Sequence, residues 1–309
     1  MKRAFLFPGQ GSQFVGMGKS LYDNFPLAKQ TFEEASESLK LDLKKLCFDG
    51  PESDLKLTQN TQPAILTTSI AAFRVLSHET EIRPALVAGH SLGEYSALVA
   101  AGALPFGPTV KVVSLRGQFM QQAVPAGTGG MVALVGATEE SAQKLCREAM
   151  IQTDKTAEPA NFNGGGQIVV SGHQEAMNAV VQLAGAQSIR AVALPVSAPF
   201  HCSLMKPAAE RLNVYVEALT LGTLAYPYIA NVDAKLYSDA SGVKDRLLKQ
   251  IDHSVRWEQS MLQLAGLEIG EAVEVGPGKI LSGLMRRIDR NIKCRAFETA
   301  EDLKAILAV

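Results

Sequence analysis

Apolar residues along this chain fall into short runs with two different rhythms. Ala4-Phe5-Leu6-Phe7 is an unbroken apolar run, which predicts a short buried strand. The stretch Gly9-Gln10-Gly11-Ser12-Gln13 ends it, and helical spacing then continues to about residue 47. A helix is predicted over Thr61–Ser77, with Pro63 near its start. Ala85-Leu86-Val87-Ala88 reads as a second buried strand. It runs into Gly89-His90-Ser91-Leu92-Gly93 and then a helix-compatible stretch to Ala101. Residues 108–123 predict another helix, carrying Lys111, Arg116 and Gln118. Strands alternating with helices point to an α/β fold whose mostly parallel sheet is covered on both faces.

The rhythm changes at Pro125-Ala126-Gly127-Thr128-Gly129-Gly130. Beyond it the pattern reads strand 131–136, helix 139–150, strand 158–162, a turn at Gly164-Gly165-Gly166, strand 167–171, helix 174–185 and strand 189–195. This β-α-β-β-α-β order is the ferredoxin-like one. It predicts a small domain, residues 128–196, inserted into a discontinuous large domain of residues 1–127 and 197–309. Pro195 and Pro199 bracket the return. The remainder predicts a helix near 204–219, a strand near 228–232, helices within 242–265, a strand at 272–275, a helix from 279, and a last strand and helix.

Composition narrows the function classes. The chain has 309 residues, 47% of them hydrophobic, so it can bury a large core. A net charge of −1 argues against general nucleic-acid binding. No apolar run approaches a membrane span. The apolar N-terminal stretch is cut short by Pro8-Gly9 and lacks a small-residue cleavage site, unlike a signal peptide. Cys47, Cys146, Cys202 and Cys294 are scattered and form no C-x-x-C pair. They read as idle thiols of a reducing compartment, with no zinc site. A cytoplasmic, monomeric enzyme is the expectation.

The chemistry centres on Gly89-His90-Ser91-Leu92-Gly93. A G-x-S-x-G motif between a strand and a helix is the context of a nucleophile elbow, with the serine Oγ exposed at the helix start. In the alternative reading Ser91 simply caps the helix. A nucleophilic serine needs a base, and the chain has five histidines. His90 adjoins the serine in a strand, so its side chain should point away. His78, His173 and His253 sit in polar or helix-terminal contexts. His201, in a proline-bracketed apolar loop at the domain junction, is the best base candidate. It could equally be packed in that loop. No acid stands out between residues 91 and 201, and Asp233, Asp252 and Glu274 could each be surface, cap or packing residues. The first glycine-rich loop has Phe14 where a dinucleotide fingerprint needs glycine, so a role beside Ser91 is the better reading.

Several segments stand together in order: Phe7-Pro8-Gly9-Gln10-Gly11-Ser12-Gln13, Gly89-His90-Ser91-Leu92-Gly93-Glu94-Tyr95-Ser96, Asn161-Phe162-Asn163, Pro195 to Cys202, Asn231-Val232-Asp233 and Glu274-Val275-Gly276-Pro277-Gly278. In this set the chain resembles the malonyl-CoA:acyl carrier protein transacylases over nearly its whole length. The resemblance implies an α/β-hydrolase-like large domain with a ferredoxin-like small domain. It assigns Ser91 as nucleophile, His201 as base and Gln250 as the carbonyl that orients the histidine, which accounts for the missing acid. It also assigns Gln10 and the Leu92 N–H to the oxyanion hole, and Arg116 to the malonyl carboxylate.

Arg116 could otherwise be a solvated helix arginine, but its planar fork suits a carboxylate. Phe200, just before the histidine, fits malonyl by the pattern of related polyketide acyltransferases. The implied reaction is ping-pong transfer from a coenzyme A thioester to acyl carrier protein, with no cofactor or metal. Carrier proteins are acidic, so Arg190 and the cluster Arg286, Arg287, Arg290, Lys293 and Arg295 are candidate docking residues. A polyketide acyltransferase, a serine thioesterase and a non-catalytic carrier-binding module are the alternatives.

Overall fold

The computed structural model describes residues 1–196 and 198–307. Ser197, within the loop leading to His201, and the last two residues lie outside the described residues. In chain order the first half runs β1 (Lys2–Phe7), α1 (Lys19–Asn24), α2 (Pro26–Leu39), α3 (Leu43–Asp49), α4 (Glu52–Leu55), α5 (Thr58–Glu79), β2 (Leu86–Gly89), α6 (Leu92–Ala100) and α7 (Phe106–Gln122). There follow β3 (Gly129–Val135), α8 (Glu139–Thr153), β4 (Ala157–Gly164), β5 (Gln167–His173), α9 (Gln174–Ala186) and β6 (Arg190–Ala193). A 3-10 turn at Ser203–Met205 leads into α10 (Lys206–Glu217), β7 (Tyr228–Ile229), β8 (Leu236–Tyr237) and α11 (Val243–Asp252). The chain ends with α12 (Trp257–Gly266), β9 (Ile269–Val275), α13 (Ile280–Ile288), β10 (Lys293–Phe297) and α14 (Ala300–Leu307).

Two sheets result. The larger has the order β10-β9-β1-β2-β7-β8 and is parallel except for the short β8. Its central strands β1 and β2 are apolar on both faces because helices cover both, as parallel sheets require. Phe5, Phe7 and Val87 pack into one cluster, while Ala4, Leu6, Leu86 and Ala88 pack into the other around Trp257 and Met261. The period-two alternation thus sends successive residues to opposite cores.

The smaller sheet is antiparallel, with the order β4-β5-β3-β6. Its face formed by Val132, Leu134, Ile168 and Val170 packs on α8 and α9 in a separate core. The opposite residues Met131, Ala133 and Val169 join the main cluster. Hydrogen bonds from Phe162 N to Val255 O and from Val255 N to Ala160 O bind β4 to the segment after α11. The smaller sheet is therefore held against the side of the larger at the end where β2 meets α6.

Two elements differ from the sequence expectation. The strand near 228–232 stops at Ile229, because a turn closed by Ala234 N on Ala230 O bends the chain into the unpredicted β8. The helix placed at 61–77 begins at Thr58, so Pro63 lies inside it. Proline has no N–H for the carbonyl four residues back. That carbonyl, Gln59 O, instead accepts from Ser114 Oγ of α7 at 3.1 Å. On the same contact line, a Cβ on Gly117 would stand 2.4 Å from Thr58 O, so α7 approaches α5 closely only because residue 117 is glycine. This approach brings Arg116 to Gln62.

Candidate active site

The elbow is built by backbone crowding. A Cβ on Gly89 would fall 1.9 Å from Gly93 O, and one on Gly93 would fall 2.0 Å from Phe7 O. Both glycines serve close approach, and the positive φ lies at Ser91 itself (φ 51°, ψ −106°). A non-glycine residue there carries backbone strain, which the surrounding bonds sustain. Ser91 N donates to Asn231 Oδ1 at 2.7 Å, and Asn231 Nδ2 donates to Gly89 O at 2.7 Å. The Ser91 side chain makes no capping bond to α6, so the helix-cap reading of this serine does not hold.

His201 supplies the base geometry. Its Nε2 lies 2.7 Å from Ser91 Oγ and its Nδ1 lies 2.7 Å from the main-chain oxygen of Gln250. A carbonyl can only accept, so Nδ1 carries the hydrogen and Nε2 is free to take the serine proton. The sequence offered a carbonyl at Gln250, and the one that orients the ring is the peptide carbonyl. Gln250 lies in the last turn of α11, where carbonyls lack intrahelical partners. Ser91 stands at the N-terminus of α6 and the Gln250 carbonyl at the C-terminus of α11. The two helix ends thus favour negative charge at the serine and positive charge at the histidine.

Burial, and next the positive charge of Arg116, lower the His201 pKa from 6.5 to about 3. The ring is therefore a neutral base throughout the physiological range. The His201 contribution to the pH dependence of reaction at Ser91 is expected well below 6.5, while Glu94, raised to about 7 by burial, is a nearby group that titrates near neutrality. Quenched-flow mass spectrometry across pH reads this directly, and an acid limb centred on 6.5 that persists in Glu94→Gln would contradict it. Because the folded value lies below the unfolded one, the unfolded chain binds the proton first. This group's contribution to stability is lost as pH falls from 6.5 towards 3.

Arg116, from α7, is 1% exposed. Its Nη1 donates to Gln62 Oε1 at 2.8 Å, and its Nη2 to Gln250 Oε1 at 2.8 Å and to Ser91 Oγ at 3.2 Å. The guanidinium carbon stands 5.4 Å from the centroid of the Tyr95 ring. Among the described residues no carboxylate pairs with it, and its Nε is buried without a partner. Burial lowers its pKa. A buried guanidinium whose hydrogen-bond partners are all neutral, beside a serine Oγ, favours a nearby anion on electrostatic grounds. The solvated-arginine alternative is excluded by this burial.

The cavity over Ser91 measures about 130 Å³ and is lined by Gln10, Gln62, Leu92, Arg116, Met120, Met131, Phe200 and His201, among others. Pockets that enclose drug-sized ligands run to roughly 300–1,000 Å³, so this one is small beside them. Gln10 and Leu92 both line this cavity together with Ser91. Leu92 is the first residue of α6, and its N–H has no intrahelical acceptor.

The other candidates are elsewhere. His90 Nε2 bonds Asn163 Oδ1 at 2.8 Å, and its ring lies against Trp257. His173 Nδ1 accepts from Thr156 N, and His78 and His253 are exposed beside Glu79 and Asp252. Asp233 bonds Tyr237 and Lys235 N, and Glu274 holds the first turn of α13 through Leu281 N and Ser282 N. All four cysteines are free thiols. Among the described residues no cluster of three His, Cys, Asp or Glu side chains could hold a metal, and no helix is long and apolar enough to cross a membrane.

The basic cluster divides. Arg286, Arg290, Lys293 and Arg295 line one cleft with Lys279, whereas Arg287 lies against the Gly165 turn. Sequence reasoning gave Asn231, Gln62 and Glu94 no role. Asn231 and Glu94 were visible only as parts of motifs, and Gln62 gave no signal of its own.

A family model for the acyl transferase domain matches residues 4–288. The malonyl CoA-acyl carrier protein transacylase of Salmonella typhimurium is 45% identical over 307 residues, covering 98% of each chain. The crystal structure of an acyl carrier protein S-malonyltransferase from Vibrio cholerae matches with a TM-score of 0.96 at 44% identity, covering 99% of this chain and 100% of that one. The structure of a type II polyketide-synthase acyl carrier protein in complex with its malonyl-transacylase matches with a TM-score of 0.96 at 40% identity, covering 100% of this chain and 99% of that chain. In sequence and in shape over its whole length, the chain belongs to the malonyl CoA-acyl carrier protein transacylase family of acyl transferases.

Proposed function

We infer that this chain moves a malonyl group from malonyl-CoA to the phosphopantetheine thiol of acyl carrier protein and so supplies malonyl-ACP for fatty-acid synthesis. The observation that carries the reading is Arg116, a buried guanidinium without a carboxylate partner, 3.2 Å from Ser91 Oγ. A malonyl carboxylate on that fork leaves its thioester carbonyl one methylene away, over the serine.

Ser91 Oγ attacks the thioester carbonyl while His201 Nε2 takes its proton. The Leu92 N–H and Gln10 hold the oxyanion of the tetrahedral intermediate, which collapses as the C–S bond breaks. The CoA sulfur leaves with the proton from His201. In the second half the carrier thiol gives its proton to His201 and attacks malonyl-Ser91. The ester C–O bond then breaks, and Ser91 recovers the proton. Phe200 and Met131 help line the cavity and limit water at the ester. The reading calls for no cofactor or metal.

The same reading makes residues 1–127 and 197–309 an α/β-hydrolase-like catalytic domain and residues 128–196 a ferredoxin-like one. The β4-β5-β3-β6 order and the separate small core support the division. Four unpaired thiols suit a cytoplasmic setting. The cleft with Arg286 and Arg290, together with Arg190 and Arg287 outside it, is the surface offered to an acidic carrier, and the enzyme acts as a monomer.

Arg116→Ala tests the reading. Two charge-assisted hydrogen bonds at about 1.5–3 kcal/mol each correspond to a loss of about 10²–10⁴-fold in malonyl acylation of Ser91. Acetyl acylation should persist. Intact-mass kinetics with malonyl-CoA and acetyl-CoA measure both, and unchanged malonyl preference would remove Arg116 from the role. Adding acyl carrier protein should discharge the malonyl adduct far faster than water does. Equal rates would favour a thioesterase.

A further inference from the structure

Beneath the elbow lies a closed layer of polar side chains that the reaction itself does not use. Glu94, in the first turn of α6, is 1% exposed. Its Oε2 accepts from Gln250 Nε2 at 2.6 Å and from Asn231 N at 3.3 Å, while its Oε1 is buried with no partner among the described residues. Gln250 Nε2 also donates to Ser91 O at 2.9 Å and lies 3.3 Å from Asn231 Oδ1. The nitrogen end of this amide thus faces three acceptors, so the oxygen end must face Arg116. A flipped amide would set its oxygen against a carboxylate and its N–H groups against a guanidinium.

Glu94 therefore reaches Arg116 through the width of one amide. The two make no direct ion pair; burial dominates at Glu94 and raises its carboxyl to about 7, against the opposing hydrogen bonds of Gln250 and Asn231 and the weaker pull of Arg246 and Arg116. A direct carboxylate contact would occupy the guanidinium and remove its need for an anion from the substrate. With the amide between them, Glu94 fixes the Gln250 amide, whose oxygen holds Arg116 Nη2, while the Nη1 hydrogen not on Gln62 and the Nη2 hydrogen on Ser91 Oγ stay available to a substrate carboxylate. We propose that Glu94 is a positioning residue for acyl selectivity: through the Gln250 side chain it aims Arg116 at a carboxylated acyl group without neutralising it.

The proposal rests on Arg116 as the carboxylate clamp, and the test separates the two. Acylation of Ser91 is followed by intact mass with malonyl-CoA and, separately, acetyl-CoA. The comparison includes the unmodified protein, Glu94→Gln, Glu94→Asp, Gln250→Glu and Arg116→Ala. Glu94→Gln should lower the malonyl-to-acetyl ratio of kcat/KM by at least about tenfold, as expected when a binding group is slightly misaimed. Its acetyl rate should stay within about threefold, which also shows that the site is assembled. Gln250→Glu, which sets a carboxylate directly on the guanidinium, should collapse the same ratio. If Glu94→Gln does not fold, Glu94→Asp is held to the same criterion of a lowered ratio, and Gln250→Glu decides should both fail. Malonyl and acetyl rates that fall together, or a ratio that is unchanged or raised, overturn the role of Glu94. A ratio that survives Arg116→Ala overturns the clamp, whereas a ratio lost in Arg116→Ala but kept in Glu94→Gln overturns only this inference.

Discussion

Replacing Ser91 by alanine is expected to abolish the covalent malonyl adduct, with transfer to acyl carrier protein falling by more than about 10⁴-fold. The expectation follows from the geometry of one atom. Ser91 Oγ is 2.7 Å from His201 Nε2 and 3.2 Å from Arg116 Nη2. Removing it leaves the carboxylate clamp intact, so Ser91→Ala should still bind malonyl-CoA while failing to react. His201→Ala should fall by a comparable factor, because the two residues act as one unit and their losses do not add. Intact mass after incubation with malonyl-CoA, paired with calorimetric binding to Ser91→Ala, checks both halves. An adduct of equal strength in Ser91→Ala would remove Ser91 from the mechanism.

Gly93→Ala and Gly89→Ala should each cost more than about 4 kcal/mol of stability, or prevent folding altogether. Their added methyls would meet Phe7 O at 2.0 Å and Gly93 O at 1.9 Å, and both obstacles are main chain that cannot swing aside. The strand β1, the elbow and α6 would all have to separate. Typical domain stabilities of roughly 5–15 kcal/mol leave little margin for such a loss. Gly185→Ala is the matched control. It lies in α9 with nothing within 4 Å of the added carbon, so stability should be unchanged or slightly raised. Urea denaturation of the three variants decides the matter. Near-equal midpoints would mean that the elbow relaxes in a way its crowding does not suggest.

Local features carried far in the sequence. The apolar runs at 4–7 and 85–88 gave the two central strands, because strands buried on both faces need no polar partner residues. The β-α-β-β-α-β order was legible because each element has its own apolar period and its own turn. Shorter elements were not. The strand expected near 228–232 forms only as the two-residue β7, and β8, with two residues, is too short for any period to register. The start of α5 was hidden by Pro63, whose missing bond is compensated by Ser114 from a helix far along the chain.

The site shows the same division. Ser91 announced itself through flanking strand, glycines and helix. Glu94, by contrast, looks like an ordinary charged residue in a helix, and only the fold reveals that it is enclosed. Asn231 holds the Ser91 N–H across a separation of 140 residues, and no spacing rule encodes such a contact. Gln62 reaches Arg116 through a helix–helix approach set by Gly117, which is a property of two surfaces together.

The acceptor that orients His201 is a main-chain oxygen, and this has an evolutionary consequence. No codon change can delete a peptide carbonyl, so the tilt of the imidazole is inherited from the final turn of α11 itself. The side chain at the same position answers to a different selection, through its contacts with Arg116 and Glu94. One residue thus holds two separable inheritances. A lineage can experiment with acyl preference at position 250 without putting its proton acceptor at risk.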